Sequence, residues 1–266
     1  MPARASESGE TDGVKTVVIL PTYNERDNLI ELAEQILALP TGAHLIVVDD
    51  NSPDGTGLLA DQLAARSRRV QVIHRPAKLG LGTAYIAGFQ LALAGGADRV
   101  VTMDADFSHH PRYIPAVAAL ADRFHVGIGS RYVAGGGVAD NWGLRRRFLS
   151  RSANLFTRLV LGLRARDCTA GFRCYRREVL QSIDLERIFS NGYSFLIEIA
   201  YRCQRLGYTF GETPILFENR YQGDSKISQW EIYKAMFTVV RLGMSRLLFW
   251  RSAERYGTRA RNLETS

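Results

Sequence analysis

Apolar and polar positions alternate in blocks along the first half of the chain. "VKTVVIL" (14–20), "AHLIVVDD" (43–50), "RVQVIH" (69–74), "DRVVTMD" (98–104) and "HVGIGS" (125–130) are short, largely apolar runs, and each predicts a strand. Between them, "ERDNLIELAEQILAL" (25–39) repeats its apolar residues with a helical period. Further helices are predicted over about 56–66, 83–93 and 111–122. Short apolar strands alternating with helices belong to a sheet covered on both faces. The pattern therefore predicts an α/β fold with a mostly parallel central sheet flanked by helices. No internal repeat or low-complexity linker breaks it, so the second half is read as part of one domain over 14–250. Residues 1–13 are polar without an apolar signal core, and they and the basic 251–266 are predicted to be disordered tails.

In such sheets ligands gather beyond the carboxyl ends of the strands. That places "PTYNE" (21–25), "DDNSPDGT" (49–56) and "DAD" (104–106) side by side. Asp104 and Asp106 close an apolar strand with two carboxylates one residue apart. They suit a divalent metal ion, or a turn leading to Pro111 as the first residue of a helix. Four acids at one edge repel each other unless a cation or hydrogen-bond donors sit among them. "PTYNE" offers an aromatic face, an amide and a carboxylate for a nucleobase and ribose; a plain strand-to-helix turn capped by Asn24 accounts for the same residues. "GLGTAY" (80–85) has two glycines of a dinucleotide fingerprint, but Tyr85 replaces the third and the first strand is far upstream, which disfavours a dehydrogenase.

Composition adds little until charge is considered. The 266 residues are 46% hydrophobic and 23% charged, enough for one large domain. Cys168, Cys174 and Cys203 form neither a disulfide framework nor a metal spacing, and read as reduced thiols of a cytosolic protein. No stretch of roughly 18 uncharged apolar residues exists, so no transmembrane helix is expected. The net charge of +7 nevertheless asks for an anionic partner.

The charge is concentrated in the second half. Residues 142–166 carry seven arginines and no acid. On a helix, Arg147, Arg151 and Arg158 fall within about 40° of one another, and Leu144, Phe148, Leu155 and Leu159 form a separate strip. Residues 229–250 are similar, aromatic at both ends and interrupted by Arg241 and Arg246. Both segments read as amphipathic helices, either facing the core or lying in a membrane interface. Arg131, in "GSRY" (129–132), follows the fifth strand; Arg220 and Lys226, in "FENRYQGDSK" (217–226), follow the apolar "TPILF". Three cations converging on an acidic cleft make sense if two phosphorylated substrates meet there. Nucleic-acid binding is disfavoured, because no nucleic-acid module is present and the strand-end acids oppose a polyanion.

Taken in order, "VVILPTYNERDNL", "VVDDNSPDGT", "KLGLGTAY", "MDADFSHHP", "GSRY" and "ENRYQGDSK" resemble the polyprenol-phosphate (dolichol-phosphate) mannosyltransferases over roughly 14–250. These are inverting glycosyltransferases of the GT-A nucleotide-sugar-binding fold. The resemblance implies transfer of mannose from GDP-mannose to polyprenol phosphate, with a UDP-glucose-dependent glucosyltransferase as the alternative. Pro21, Tyr23, Glu25, Val48 and Asp50 would hold the guanosine. Asp104, Ala105 and Asp106 would lie against the diphosphate, with Asp104, Asp106 and Ser108 around a Mg2+ or Mn2+ ion. Asp106, Arg131, Arg220 and Lys226 would carry the transfer, the three cations also touching the nucleotide sugar. His109 and His110 are read as residues packed at a helix entry rather than as ligands. The lipid acceptor further implies peripheral attachment at the cytoplasmic face of a membrane, with a separate membrane-anchoring subunit as a further partner. A catalytically silent nucleotide-sugar-binding subunit is disfavoured, because the paired acids are present.

Overall fold

A computed structural model describes residues 13–139, 143–218 and 233–244. Most of both expected tails, Trp142, Arg220, Lys226, and 245–250 of the second amphipathic segment lie outside the described residues.

The chain alternates β1 (Thr16–Thr22), α1 (Arg26–Leu37), β2 (His44–Asp49), α2 (Thr56–Arg66), β3 (Val70–His74), α3 (Leu81–Ala94) and β4 (Arg99–Thr102). A 3-10 turn at Pro111–Tyr113 then leads into α4 (Ile114–Ala119) and β5 (Val126–Ser130). These follow the predicted elements, shifted by a few residues at their ends. The second half contributes β6 (Gly137–Val138), α5 (Leu144–Leu161), β7 (Arg173–Arg176), α6 (Arg177–Ser182), α7 (Ser194–Arg205), β8 (Phe210–Pro214) and β9 (Leu216–Phe217). A last helix, α8, covers 233–244.

The main sheet runs β3-β2-β1-β4-β7-β5-β8, and a small parallel pair joins β6 to β9. Its strands are parallel except for β7, which lies antiparallel between β4 and β5. "RCYR" carries two arginines, so nothing in its pattern announces a central strand. Arg173 is wholly buried, and its Nη1 and Nη2 donate to the carbonyls of Leu196 and Cys168, each at 2.8 Å. The "TPILF" segment splits between the end of β8 and β9.

Successive residues of each strand enter opposite cores. Val17, Ile19, Ile46, Val48 and Val100 pack with Tyr85 and Phe89 of α3 on one face. Val18, Leu20, Leu45, Val47 and Val101 pack with Leu29, Leu32 and Ile36 of α1 on the other. A third cluster joins Leu161 at the end of α5 to Ile197 and Tyr201 of α7 and Val239 and Leu242 of α8. All three cysteines are free and buried, and burial pushes each thiol up to about 12.

Helix α5 departs from the usual arrangement. It buries Asn154 and Thr157 and exposes Leu144 (84%), Phe148 (71%) and Leu159 (71%). A core-facing helix does the reverse. Tyr233, Met236, Phe237 and Val240 of α8 are also exposed. Among the described residues no helix is long and apolar enough to cross a membrane.

Candidate active site

The parallel register sets Thr22 beside Asp49 at the carboxyl ends of β1 and β2. Thr22 Oγ1 donates to Asp49 at 2.9 Å, and the same carboxylate receives the backbone N–H of Ser52 (3.0 Å) and its hydroxyl (2.5 Å). Asp49 is thereby used to hold the loop. That loop is stitched to the preceding one: Asn24 N donates to Ser52 Oγ, and Glu25 N to Thr56 Oγ1. Glu25, rather than Asn24, begins α1, its carbonyl accepting from the backbone N–H groups of Asn28 and Leu29. Its buried carboxylate accepts from Asn28 Nδ2 at 3.0 Å.

Asn24, Asn51 and Phe107 have φ of +58°, +56° and +61°, and are the non-glycine residues with positive φ among those described. All three follow strands at the same edge. Left-handed backbone at non-glycine positions costs free energy and concentrates at functional sites.

Asp50 faces Arg75, with an oxygen 2.7 Å from Nη1, and both side chains are nearly buried. Burial raises the Asp50 pKa above the ordinary carboxylate value, partly opposed by Arg75 and the backbone of Gly80 and Leu79. Gly80 has φ +99°, and a Cβ there would crowd the Asn191 side chain, so the "KLGLGT" loop requires glycine at this point. Tyr23 is half-buried, with Lys78 Nζ 4.1 Å from its ring centre. Pro21 is half-buried at the end of β1. Val48 is different: its side chain is in the core, so only its backbone faces any ligand.

The loop after β4 turns sharply at Phe107. Asp106 accepts the Ser108 backbone N–H (3.0 Å) and hydroxyl (2.5 Å) on one oxygen. Its carboxylate is nearly buried, whereas the Asp104 side chain is 24% exposed. Ala105 between them is buried. His109 Nδ1 accepts the Asp104 backbone N–H at 3.1 Å, and its ring packs 5.2 Å from both Phe172 and Phe217. Burial pushes the His109 pKa down to about 4, so it is neutral and holds the loop. His110 Nδ1 accepts from Arg112 N and caps the following 3-10 turn, with Pro111 just inside it.

Arg131 follows β5 and is locked in place. Asp167 accepts its Nε and Nη2, each at 2.8 Å, and its backbone N–H at 3.0 Å; Thr169 Oγ1 accepts Nη2 at 2.7 Å. Burial opposes the Asp167 charge, but Arg131 outweighs it and holds that carboxyl below its ordinary value. Nothing near "ARDCTA" in the sequence singled out Asp167. Tyr132 continues the chain to α5 through a 2.7 Å contact between its hydroxyl and Ser150 Oγ. Arg75 and Asp167, both missed by motif reasoning, each neutralise a predicted site residue. Only spatial pairing reveals them.

The donor chemistry fits a hard divalent ion. Asp104 and Asp106 offer carboxylate oxygens and Ser108 a hydroxyl, while no cluster of three or more His, Cys, Asp or Glu residues suited to a metal exists among the described residues. Such a pair leaves the ion to complete its sphere with waters and phosphate oxygens, which Mg2+ and Mn2+ accept readily.

Known proteins resemble this chain in sequence and in fold. Residues 17–184 match the family model described as "Glycosyl transferase family 2". The chain is 48% identical over 235 residues to the polyprenol monophosphomannose synthase of Mycolicibacterium smegmatis, covering 86% of this chain and 87% of that one. It is 42% identical over 233 residues to the undecaprenyl-phosphate mannosyltransferase of Micrococcus luteus, covering 87% and 95%. Among solved structures, glucosyl-3-phosphoglycerate synthase from Mycobacterium tuberculosis with Mn2+, UDP-glucose and phosphoglyceric acid gives a TM-score of 0.63 at 20% identity, over 87% of this chain and 80% of that chain. The same enzyme with Mg2+ and UDP gives 0.59 at 23% identity, over 88% and 79%. At these identities the structural likeness concerns the fold.

Proposed function

The chain belongs to glycosyl transferase family 2, and on that premise we propose that it transfers mannose from GDP-mannose to a polyprenol phosphate, releasing GDP and a polyprenyl β-mannosyl phosphate. The observation that carries this is the pair of relatives at 48% and 42% identity, both named for mannose and a polyprenyl phosphate. The two carboxylates beyond β4, with Arg131 anchored beyond β5, support this reading.

The nucleoside is held at the ends of β1 and β2, by Tyr23, Glu25 and Asp50. Asp104, Asp106 and Ser108 would hold a Mg2+ or Mn2+ ion, which would supply Lewis acidity toward the diphosphate. The polyprenol phosphate oxygen is anionic at neutral pH, so it needs no strong general base. It attacks the anomeric carbon, and the bond from that carbon to the diphosphate oxygen breaks with its electron pair leaving on GDP. Attack on the face opposite an α-linked leaving group inverts the centre. Arg131, Arg220 and Lys226 orient the two phosphate groups and offset the charge that builds on the leaving group. Asp167 holds the Arg131 guanidinium in one position.

The exposed apolar strip of α5 and the exposed face of α8 support the reading of peripheral attachment at the cytoplasmic face of a membrane, where the acceptor's isoprenoid tail would remain in lipid. Purified protein incubated with polyprenol phosphate and labelled GDP-mannose yields labelled lipid. Labelled lipid from UDP-glucose instead would establish the glucosyl alternative.

A further inference from the structure

Arg75, one residue beyond β3, packs against Asp50, one residue beyond β2. The two side chains are 7% and 8% exposed, with Arg75 Nη1 2.7 Å from Asp50 Oδ1. The same guanidinium reaches the loop that opens α3. Its Nη1 donates to the Gly80 carbonyl at 3.2 Å and its Nη2 to Thr83 Oγ1 at 2.5 Å. The Arg75 backbone N–H donates to the Asp49 carbonyl at 2.9 Å. One residue thus joins the ends of two strands to the start of a helix.

Among the described residues Asp50 Oδ1 is buried and accepts no hydrogen bond, so Arg75 acts on it through charge. Oδ2 accepts the Gly80 N–H at 3.3 Å, and a carboxylate oxygen has room for a second donor. Burial and the neighbouring Asp49 oppose ionisation of Asp50; Arg75 and the backbone of Leu79 and Gly80 favour it. Other charges at this edge are turned elsewhere. His74, just before Arg75, faces Asp61 at 2.8 Å, and Lys78 lies over the Tyr23 ring. Deprived of Arg75, a carboxyl in this position escapes its desolvation by taking up a proton. One of its oxygens then becomes a donor.

We propose that Arg75 is a positioning residue for the nucleotide sugar: it holds Asp50 ionised and in one orientation, so that the carboxylate accepts hydrogen bonds from the nucleoside. Arg75 acts through Asp50 rather than on the substrate. This role presupposes the proposed nucleoside site at Asp50 and deepens it.

Calorimetry of GDP binding with Mg2+, at about pH 5.5 and about pH 8.5, tests this role. Each variant is read as a ratio to native protein at the same pH, which cancels titration of the GDP phosphates. An adjacent guanidinium lowers a carboxyl pKa by about 1–3, so Arg75→Gln should bind GDP about tenfold more weakly at the lower pH and within about threefold of native at the higher. Arg75→Lys keeps the charge without the fork, and its loss should be the same at both. Asp50→Asn does not titrate, and adding Arg75→Gln to it should change binding by less than about twofold. A loss in Arg75→Gln that is equal at both pH values, or that adds in full to that of Asp50→Asn, overturns the proposal. The double variant leaves no buried charge unpaired, so it folds even if Arg75→Gln does not. Arg75→Lys should then bind GDP at least about fivefold more tightly than the double variant, and equal binding overturns the proposal. Binding of UDP but not GDP by native protein defeats the mannosyl reading instead, and the same ratios measured with UDP then decide the role of Arg75.

Discussion

Asp167 grips Arg131 by Nε and Nη2 at 2.8 Å each and by its backbone N–H at 3.0 Å, across 36 positions of sequence. The carboxylate is wholly buried and the guanidinium nearly so. Replacing one partner of such a pair leaves an uncompensated buried charge. Asp167→Asn should therefore destabilise the fold by about 3–5 kcal/mol and, where folded, slow transfer. Thermal unfolding checks the first effect and single-turnover transfer the second. Unchanged stability would mean that Arg131 finds another anion.

Asp104→Asn and Asp106→Asn should each lower transfer by about a hundredfold or more and abolish metal-dependent GDP binding. Asn at position 106 retains an acceptor for the Ser108 N–H and hydroxyl, so the turn survives and the loss reports on charge. Calorimetry with GDP and Mg2+, alongside circular dichroism, separates the two. Full activity of both variants in excess chelator would remove the metal from the mechanism.

His109 contributes a pH dependence with a definite sign. Its folded pKa of about 4 lies below the ordinary 6.5, so the unfolded chain takes up a proton that the folded chain refuses. Its contribution to stability is intact above pH 6.5 and lost progressively as pH falls toward 4. His109→Gln, neutral throughout, should show a shallower fall in Tm over that interval. Parallel slopes for native and variant would show that His109 gains its proton without cost to the fold.

Phe148 and Leu159 are each 71% exposed on α5. Changing them to Ser should leave Tm within a degree or two, because little burial is lost, yet weaken sedimentation with anionic vesicles severalfold. High salt should weaken binding further by screening the arginines. A large fall in Tm would instead identify these residues as packed.

The sequence by itself determined the layered α/β architecture and the edge at which the carboxylates collect. Apolar runs such as "VVIL" and "LIVVD" and the helical period of 25–39 are local properties, and the strand-end rule converts strand order into position. Asp104, Asp106 and the Asp49–Asp50 pair were legible for that reason. Only the tertiary structure decided how each of these acids is held. Asp49 accepts from Thr22 and Ser52, Asp50 pairs with Arg75, and Arg131 is fixed by Asp167. It also decided that β7 enters the sheet antiparallel through a buried Arg173, and that α5 buries Asn154 while showing Leu144, Leu155 and Leu159. Each of these outcomes depends on a partner brought from elsewhere in the chain. Periodicity reports what one segment prefers in isolation, whereas the state of a charge is set by what the fold places within 3 Å of it.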